Sequence, residues 1–399
     1  MLVLVLNCGS SSVKYALYDW AKSAILTQGN IERIGAEGGP VNHKMAISDM
    51  LSGLTSVDTG VISDIKDIVA VGHRVVHGGD KFNKSVRVTP DVLDTIRAVS
   101  SLAPLHNPPN IVGIESAMSV LPDVPQIAIF DTAFHQTLPP VAYLYPVPHS
   151  WYEEFGVRKY GFHGSSHLYV TKRAAKLLGK PRDQVNLITL HIGNGVSFSA
   201  IRNGVSVDTS MGLTPLEGAM MGTRSGDIDP AIVGFMAERL SVSASEIVGI
   251  LNKKSGHLGV TGGRFVDRRD IEKAMNAGDE QAALSLQMEI YRIKKYIGAY
   301  MAVLGNVDAL VFTAGVGENN ATIREGALSG LERLGIILDV EKNKTVRSST
   351  GETPISTPES PVKVLVIPTN EEAVLVEDVV AILEDRYNEH THYVYQFEG

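Results

Sequence analysis

One short arrangement occurs twice in this chain. "LVLVLNCGSSSVKYALYD" (Leu2 to Asp19) and "VNLITLHIGNGVSFSAIRNG" (Val185 to Gly204) each carry an apolar run, a tight cluster of Gly and small polar residues, and a second apolar run. Period-two alternation in the second run predicts a hairpin. A third run, "DALVFTAGVGENN" (Asp308 to Asn320), ends in what reads as a Gly-rich turn. The strand and glycine loop thus recur at Asn7–Lys14, His191–Ser197 and Ala314–Asn319. Two similar α/β domains with phosphate loops facing a shared cleft explain this recurrence. The first domain is expected over residues 1–145 with a C-terminal helix, 374–399, and the second over 146–373.

Length supports the division, because 399 residues exceed one ordinary hydrophobic core. An apolar content of 44% with 20% charged residues fits a soluble globular chain. The net charge of −8 disfavours nucleic acid and anionic lipid as partners. The single cysteine, Cys8, excludes an intramolecular disulfide and a cysteine zinc cluster, and reads as a small filler. No apolar run approaches the roughly 20 residues a membrane span needs. With no signal-peptide pattern at the start, a cytoplasmic location is expected.

Other elements are legible. "DIVAVGHRVVHGGD" (Asp67 to Asp80) holds a buried strand ending in Gly-Gly. Thr89 and Pro90 form an N-cap and first helical position. "QIAIFDTAFH" is a strand delivering Asp131 at its C-terminal end, and "SHLYVTKRAAKLLG" is an amphipathic helix. "KVLVIPTNEEAVLVEDVVAILEDRY" gives a strand, a polar turn and a closing helix. The stretch from Leu138 to Gly156 is rich in Pro and Tyr and reads as an interdomain passage, and Thr345 to Pro361 as a surface loop. The tail from Tyr387 has no recognised pattern and is expected to be frayed or packed in a dimer.

Glycines admit an anion close to backbone N–H groups, and hydroxyls add donors. Gly9, Ser10, Ser11 and Ser12 suit phosphate in this way, with Lys14 adding a point charge. A plain tight hairpin is the competing explanation. Neither G-x-x-x-x-G-K-[ST] nor a strand followed by G-x-G-x-x-G occurs. Polar residues nevertheless cluster in Gly- or Pro-flanked stretches. Arg74 lies between His73 and His77, His106 sits in "LAPLHNPPN", and "YGFHGSSH" holds His163 and His167. The stretch from Asp208 to Pro230 carries Asp208, Glu217, Arg224, Asp227 and Asp229. A loop of that length in a compact domain is more often functional than idle.

Taken together, "NCGSSSVK", "GHRVVHGG", "LAPLHNP", "FDTAFH", "YGFHGSSH", "HIGNG", "DTSMGLTPLEGAMMGTRSGDIDP", "FTAGVGEN" and "PTNEE" resemble the acetokinase family. The resemblance covers nearly the whole chain in order, and the segment from Asp208 to Pro230 is its most specific part. It implies two duplicated α/β domains of the actin-like, sugar-kinase-like ATPase fold around a central cleft. The implied reaction is reversible transfer of the ATP γ-phosphate to acetate, giving acetyl phosphate and ADP. It also implies a homodimer.

Residue roles follow from the same resemblance. Asn7 and Glu371 match magnesium-site positions, with Glu372 a neighbouring decoy and Mn²⁺ an alternative ion. Arg74 matches the residue holding the substrate carboxylate. Asp131, His163 and Arg224 match catalytic positions. Lys14, Ser10 and Ser12 fall in the phosphate turn. His191, Ile192, Gly193, Asn194 and Gly195, together with Gly315, Val316, Gly317, Glu318 and Asn319, match nucleotide loops. Asp267, Arg268 and Arg269 fall where the family has an Asp-x-Arg nucleotide contact. Val76, Leu105, Phe162 and Pro215 match the pocket for the acid's methyl group. Val76 favours acetate, with propionate as second substrate, because one methylene discriminates by only about 1–3 kcal/mol.

Chemistry agrees with these residue types. Phosphoryl transfer needs in-line positioning and charge neutralisation. Acetate is already ionised, so Asp131 is expected to orient rather than to accept a proton. Direct transfer is favoured over a side-chain phosphoenzyme. The sequence departs from the family at Cys8, at Ser165 and in "GVTGGRFVDRRD", where Arg264 and Arg268 add charge and leave the nucleotide base open. A propionate kinase and, from another class, an actin-like switch ATPase are the competing readings. The switch would give the pair Arg74 and Arg224 no purpose.

Overall fold

The computed structural model describes every residue except Thr59 and Leu105. The chain divides into two compact units, 1–136 with 370–399, and 137–369. Each is built on one six-stranded sheet.

In the first unit, β1 (Leu2–Cys8), β2 (Val13–Asp19) and β3 (Ala24–Ile31) form an antiparallel meander. β4 (Ile68–Val75) runs parallel to β1, and β6 (Gln126–Phe130) parallel to β4. β5 (Val86–Arg87) closes the edge antiparallel to β6. The order is β3-β2-β1-β4-β6-β5. In the second unit, β7 (Leu187–Ile192), β8 (Val196–Arg202) and β9 (Val205–Thr209) repeat the meander. β10 (Ala309–Thr313) and β12 (Lys363–Val366) add parallel strands, and β11 (Thr353–Pro354) an antiparallel edge. The order is β11-β12-β10-β7-β8-β9, the first sheet's order read from its other edge. The duplication expected from two glycine turns is thus a duplication of whole sheets.

Helices on both faces force the central strands to be apolar throughout. Leu4 and Leu6 of β1 pack with the His43–Leu54 helix on one face, whereas Val3 and Val5 meet the Glu371–Leu383 helix on the other. Each of these side chains contributes about 1.5–3 kcal/mol by burial. Cys8 lies in the same core, and burial pushes its thiol up to about 12, so it is a filler and no nucleophile. In this α/β arrangement the functional edge lies outside the carboxyl ends of the parallel strands. Those ends deliver Asn7, Arg74 and Asp131 in the first unit and His191 in the second.

Two expectations need correction. Ala314–Asn319 is a short helix rather than a Gly-rich turn. β10 is buried along its whole length and ends at Thr313, after which Ala314 adopts φ 65 and turns the chain at once into the helix. The tail is not frayed either. Tyr395 is 1% exposed, and its hydroxyl donates to Asp378 Oδ1 at 2.8 Å, while Ser85 Oγ donates to Oδ2 at 2.6 Å. The alternation Tyr393, Tyr395 turns aromatic rings inward onto the closing helix. The sequence shows those rings but not the acid they cover.

Burial pushes Asp378 up to about 7 against its hydroxyl donors, and pushes neighbouring Glu377 to about 7 as well. Tyr387, Tyr395, Ser85 and His390, whose Nδ1 is 3.6 Å away, also face Asp378. A carboxyl whose folded pKa lies above the ordinary value of about 4 favours the fold fully below that value. The benefit is lost as pH rises through about 7. The melting temperature is therefore expected to fall between pH 5.5 and 8, and to fall less in Asp378→Asn. Calorimetry of both proteins across that range checks it; equal slopes would contradict it.

Candidate active site

In the first unit the site begins with an arginine fixed from one side. Asp131 N donates to Val75 O at 3.0 Å, which places its carboxylate beside the end of β4. Arg74 Nε donates to Asp131 Oδ1 at 2.9 Å, and Nη2 donates to Oδ2 at 2.6 Å. This fork-to-fork pair orients the guanidinium plane. Nη1 has no hydrogen-bond partner among the described residues, so one edge of the arginine stays free. Burial opposes the charge of Arg74, but Asp131 and Glu371 outweigh it and hold the group protonated beyond its usual range.

Glu371 opens the closing helix, one residue after its N-cap, Asn370, and so lies on a helix start rather than in a turn. Its Oε2 is 3.7 Å from Arg74 Nη2 and is buried with no hydrogen-bond partner. Burial raises its pKa, against the pull of Arg74. Asn7, Lys14, Arg74, Glu371 and Glu372 line one cavity of about 560 Å³. Ser10 is exposed and Ser12 half-buried at the hairpin tip, and neither lines this cavity. The tip is held by His43 Nε2 at 2.7 Å from Gly9 O and by Asn110 Nδ2 donating to Cys8 O at 2.8 Å.

Asn110 was missed by the sequence reading. Its Oδ1 also accepts from Val76 N at 3.0 Å, so one side chain ties the end of β1 to the end of β4. Asn107 holds His77 in the same way, through its N–H at 3.1 Å and its carbonyl at 2.8 Å. The signal was there in "NPPN": asparagines three apart share one face of a helix. Val76 is half-buried in this unit, whereas Phe162 (buried) and Pro215 (half-buried) belong to the other. Leu105 lies outside the described residues.

The second unit groups His163, His191, Gly195 and Arg224. His163 has φ 57 just before the Gly164–Leu177 helix. Its ring stacks on His191 at 4.1 Å, and its Nδ1 is 2.8 Å from Ser197 Oγ. His191 Nδ1 is in turn 2.8 Å from Ser166 Oγ. A methyl group on Gly195 would lie 3.3 Å from the His163 ring and 3.6 Å from Arg224 Nη1. The hairpin turn thus passes closely beneath the His163 ring and Arg224, and a side chain at position 195 would make the ring give by a few tenths of an ångström.

Arg224 donates to Pro215 O at 3.3 Å, and no carboxylate pairs with it among the described residues. Burial alone pulls its pKa down. A desolvated guanidinium without a counter-ion is costly unless an anion arrives. The segment around it is irregular from Ser210 to Pro230, yet fixed. Tyr145 and Lys159 bind Glu217, Asp227 Oδ1 accepts from Gly218 N at 2.8 Å, and Tyr296 donates to Asp227 Oδ2 at 2.6 Å.

A second cavity, of about 750 Å³, brings together Gly193, Asn194, Asp267, Arg268, Arg269, Gly315, Val316 and Asn319. His191, Ile192, Gly195, Gly317 and Glu318 do not line it, and Ile192 points into the core. Glu318 accepts from Thr369 N at 3.0 Å, and burial raises its pKa. Arg347 also lines the cavity, although its stretch reads as surface loop; Ser348 N donates to Asn319 Oδ1 at 3.1 Å and draws it in. Arg324 was missed as well. Fully buried, it donates to Gly317 O and Glu318 O at 2.9 and 2.8 Å, and to Asn343 O at 2.8 Å. It thereby caps the short helix after β10 with a charge.

Hard oxygen donors suit Mg²⁺, which keeps several waters and takes few protein ligands. The orphaned Glu371 Oε2 and the Asn7 amide on the same cavity fit that ion. No cluster of three His, Cys, Asp or Glu among the described residues offers a dedicated cage.

Comparison with known proteins decides the family. A profile described as the acetokinase family matches residues 2–377. The chain belongs to the acetokinase family. It is 57% identical to an acetate kinase of Geobacter metallireducens, over 100% of this chain and 98% of the relative. It is 51% identical to an acetate kinase of Treponema pallidum, over 100% and 93%. Among solved structures, Porphyromonas gingivalis acetate kinase superposes with a TM-score of 0.91 at 46% identity, covering 96% and 99% of the two chains. A propionate kinase from Francisella tularensis gives 0.87 at 41%, covering 94% and 98%. The chain is a phosphotransferase with a carboxyl group as acceptor.

Gly195→Ala tests the packing beneath His163 and Arg224. Misplacing a catalytic group by about 1 Å costs on the order of 100-fold, and here the neighbours must yield only tenths of an ångström. The turnover number is expected to fall about tenfold with an unchanged melting temperature. Steady-state rates beside a circular dichroism melt check this; an unchanged turnover number would contradict it.

Proposed function

We propose that this chain transfers the γ-phosphoryl group of ATP to acetate, reversibly and by direct in-line displacement. The observation that carries the reading is the free Nη1 edge of Arg74, held in plane by Asp131 on a cavity also lined by Asn7, Lys14 and Glu371. That edge presents donors to an acid's carboxylate in a fixed direction, which leaves one carboxylate oxygen to attack. Asp131 serves to orient Arg74. Arg224 and His163 neutralise charge on the transferred phosphoryl group, the role for which an unpaired guanidinium suits Arg224.

Asn7 and Glu371 would hold Mg²⁺, and Mn²⁺ meets the same donors. When bound, the ion supplies charge neutralisation to the phosphate oxygens. The 750 Å³ cavity suits the nucleotide, with Asp267 and Arg269 at its rim and the glycines of both loops allowing close approach. Val76 favours a one-carbon substituent on the acid, which agrees with the names of the relatives at 51% and 57% identity.

A second copy of the chain is the expected macromolecular partner. The Ala231–Leu240 helix has no buried residue, and Phe235, Leu240 and Ile232 are 57%, 51% and 40% exposed. Such an apolar face on a folded unit marks an interface. Light scattering is expected to give about twice 42.9 kDa, and Phe235→Lys to shift the mass toward one copy. A monomer at all concentrations would contradict the pairing. No described helix is long and apolar enough to cross a membrane, and the chain is proposed to work in the cytoplasm.

The direct test is ADP formation with ATP and Mg²⁺, with hydroxylamine to trap acyl phosphate, comparing acetate, propionate and no acid. Acetate is expected to be preferred; a propionate preference would change the substrate, and acid-independent hydrolysis would contradict the kinase reading. In Arg74→Ala, loss of a charge-assisted pair worth about 2–3 kcal/mol is expected to lower kcat/KM for acetate about 30- to 150-fold. Glu371→Gln is expected to move the Mg²⁺ titration to higher concentration; an unchanged titration would place the ion elsewhere.

A further inference from the structure

The Glu280–Leu304 helix carries a carboxylate that none of the roles above uses. Glu289 is 0% exposed. Its Oε1 accepts from Arg268 Nη2 at 2.7 Å, and its Oε2 lies 2.9 Å from His257 Nε2. His257 is also 0% exposed, and its Nδ1 is 2.7 Å from Ser285 Oγ, one turn back on the same helix. Burial would push Glu289 up, but Arg268 and His257 outweigh it and hold the carboxyl down at about 2. It is thus a fixed anion shared by two donors from two different segments.

Each donor leads to a different part of the site. The His257 arm leads to the turn carrying Arg224. His257 N donates to Met221 O, Leu258 N to Gly222 O and Ser255 N to Thr223 O, all at 3.0 Å, and the turn closes with Met221 N to Arg224 O at 3.1 Å. Gly256 has φ 59, and a methyl group there would lie 2.1 Å from Met221 O, so a glycine is what lets the two segments approach closely enough for this ladder. The Arg268 arm leads to the nucleotide cavity. Arg268 opens the Arg268–Asn276 helix, and its neighbours Asp267 and Arg269 line that cavity. Arg268 itself is 4% exposed, with its guanidinium turned to Glu289.

We propose that Glu289 is a positioning residue of the phosphotransfer reaction: one buried carboxylate fixes the Arg224 turn through His257 and the Asp267–Arg269 rim through Arg268. The inference rests on the reading of Arg224 and of the cavity given above. A buried anion suits this task because its partners cannot be exchanged for water. Removing it leaves Arg268 and His257 facing each other uncompensated. A glutamine of the same shape can accept from one partner but must present N–H groups to the other, so it uncouples the arms without leaving a void.

The test uses the full chain and reads two quantities: turnover at saturating substrates, and the dissociation constant of ADP by titration calorimetry, which needs no catalysis. Glu289→Gln is expected to lower turnover at least tenfold and weaken ADP at least fivefold, measured well below its own melting temperature. Glu289→Asp, which keeps the charge at shorter reach, is expected to recover part of both. The single arms are expected to separate. His257→Gln is expected to lower turnover at least tenfold with the ADP constant within twofold, whereas Arg268→Lys is expected to weaken ADP at least fivefold and by a larger factor than it lowers turnover.

A lowered melting temperature with turnover and ADP binding both within twofold would reduce Glu289 to a packing residue and overturn the proposal. So would arms that shift both quantities alike. If Glu289→Gln does not accumulate folded, the two single-arm variants decide. Failure of the underlying reading shows separately, in the unsubstituted chain, as the absence of acid-dependent turnover.

Discussion

Arg224 is a guanidinium partly removed from water with no carboxylate beside it. Folding leaves such a group uncompensated only where something else holds it in place. Here the holders are extensive: the 221–224 turn is laddered to 255–258, a glycine at position 195 lets the hairpin pass beneath, and Asp227 closes the long loop from below. The first unit treats its arginine differently. Arg74 is compensated on one edge by Asp131 and left open on the other. Paired or unpaired, both cations present donors that the protein itself does not consume, which suits anionic substrates.

The duplicated sheets explain where these groups stand. Parallel strands place their carboxyl ends on one edge, and side chains needing exact direction are mounted there or on the first turn of the following helix. β1, β4 and β6 deliver Asn7, Arg74 and Asp131, and β7 delivers His191. The closing helix adds Glu371 at its first turn while its middle is clamped by Ser85 and Tyr395 on Asp378. A rigid scaffold with little freedom at the site is what charge stabilisation requires, because donors that must reorganise lose their advantage.

Much of this was legible in the sequence, for identifiable reasons. Hairpins around Gly9 and Gly193 follow from period-two alternation, and the first helix after Thr89 from its cap and proline. Arg74, His163 and Arg224 sit in dense polar motifs that local composition exposes, whereas Glu371 stands out only through the family resemblance. Illegible were the long-range partners. Glu289 and Arg324 act through contacts to separate segments, and a lone charged residue on a helix carries no local mark of burial. The tail was missed because its aromatic alternation has meaning only beside Asp378, and Ala314–Asn319 because its glycines imitate a turn while a buried strand before it forces a helix.

The central claim is that this site works by neutralising charge on a phosphoryl group in flight, without a phosphoenzyme. Glu371 lines the proposed acid cavity and Asp131 is paired with Arg74 beside it, so a carboxylate that could take the phosphoryl group is at hand and the claim is open to direct refutation. The most direct measurement is the stereochemical course at phosphorus, using ATP made chiral at the γ-phosphoryl group and analysing the acetyl phosphate formed. A single in-line displacement predicts inversion. Retention would require an even number of displacements, put the phosphoryl group on a side chain, and contradict the account.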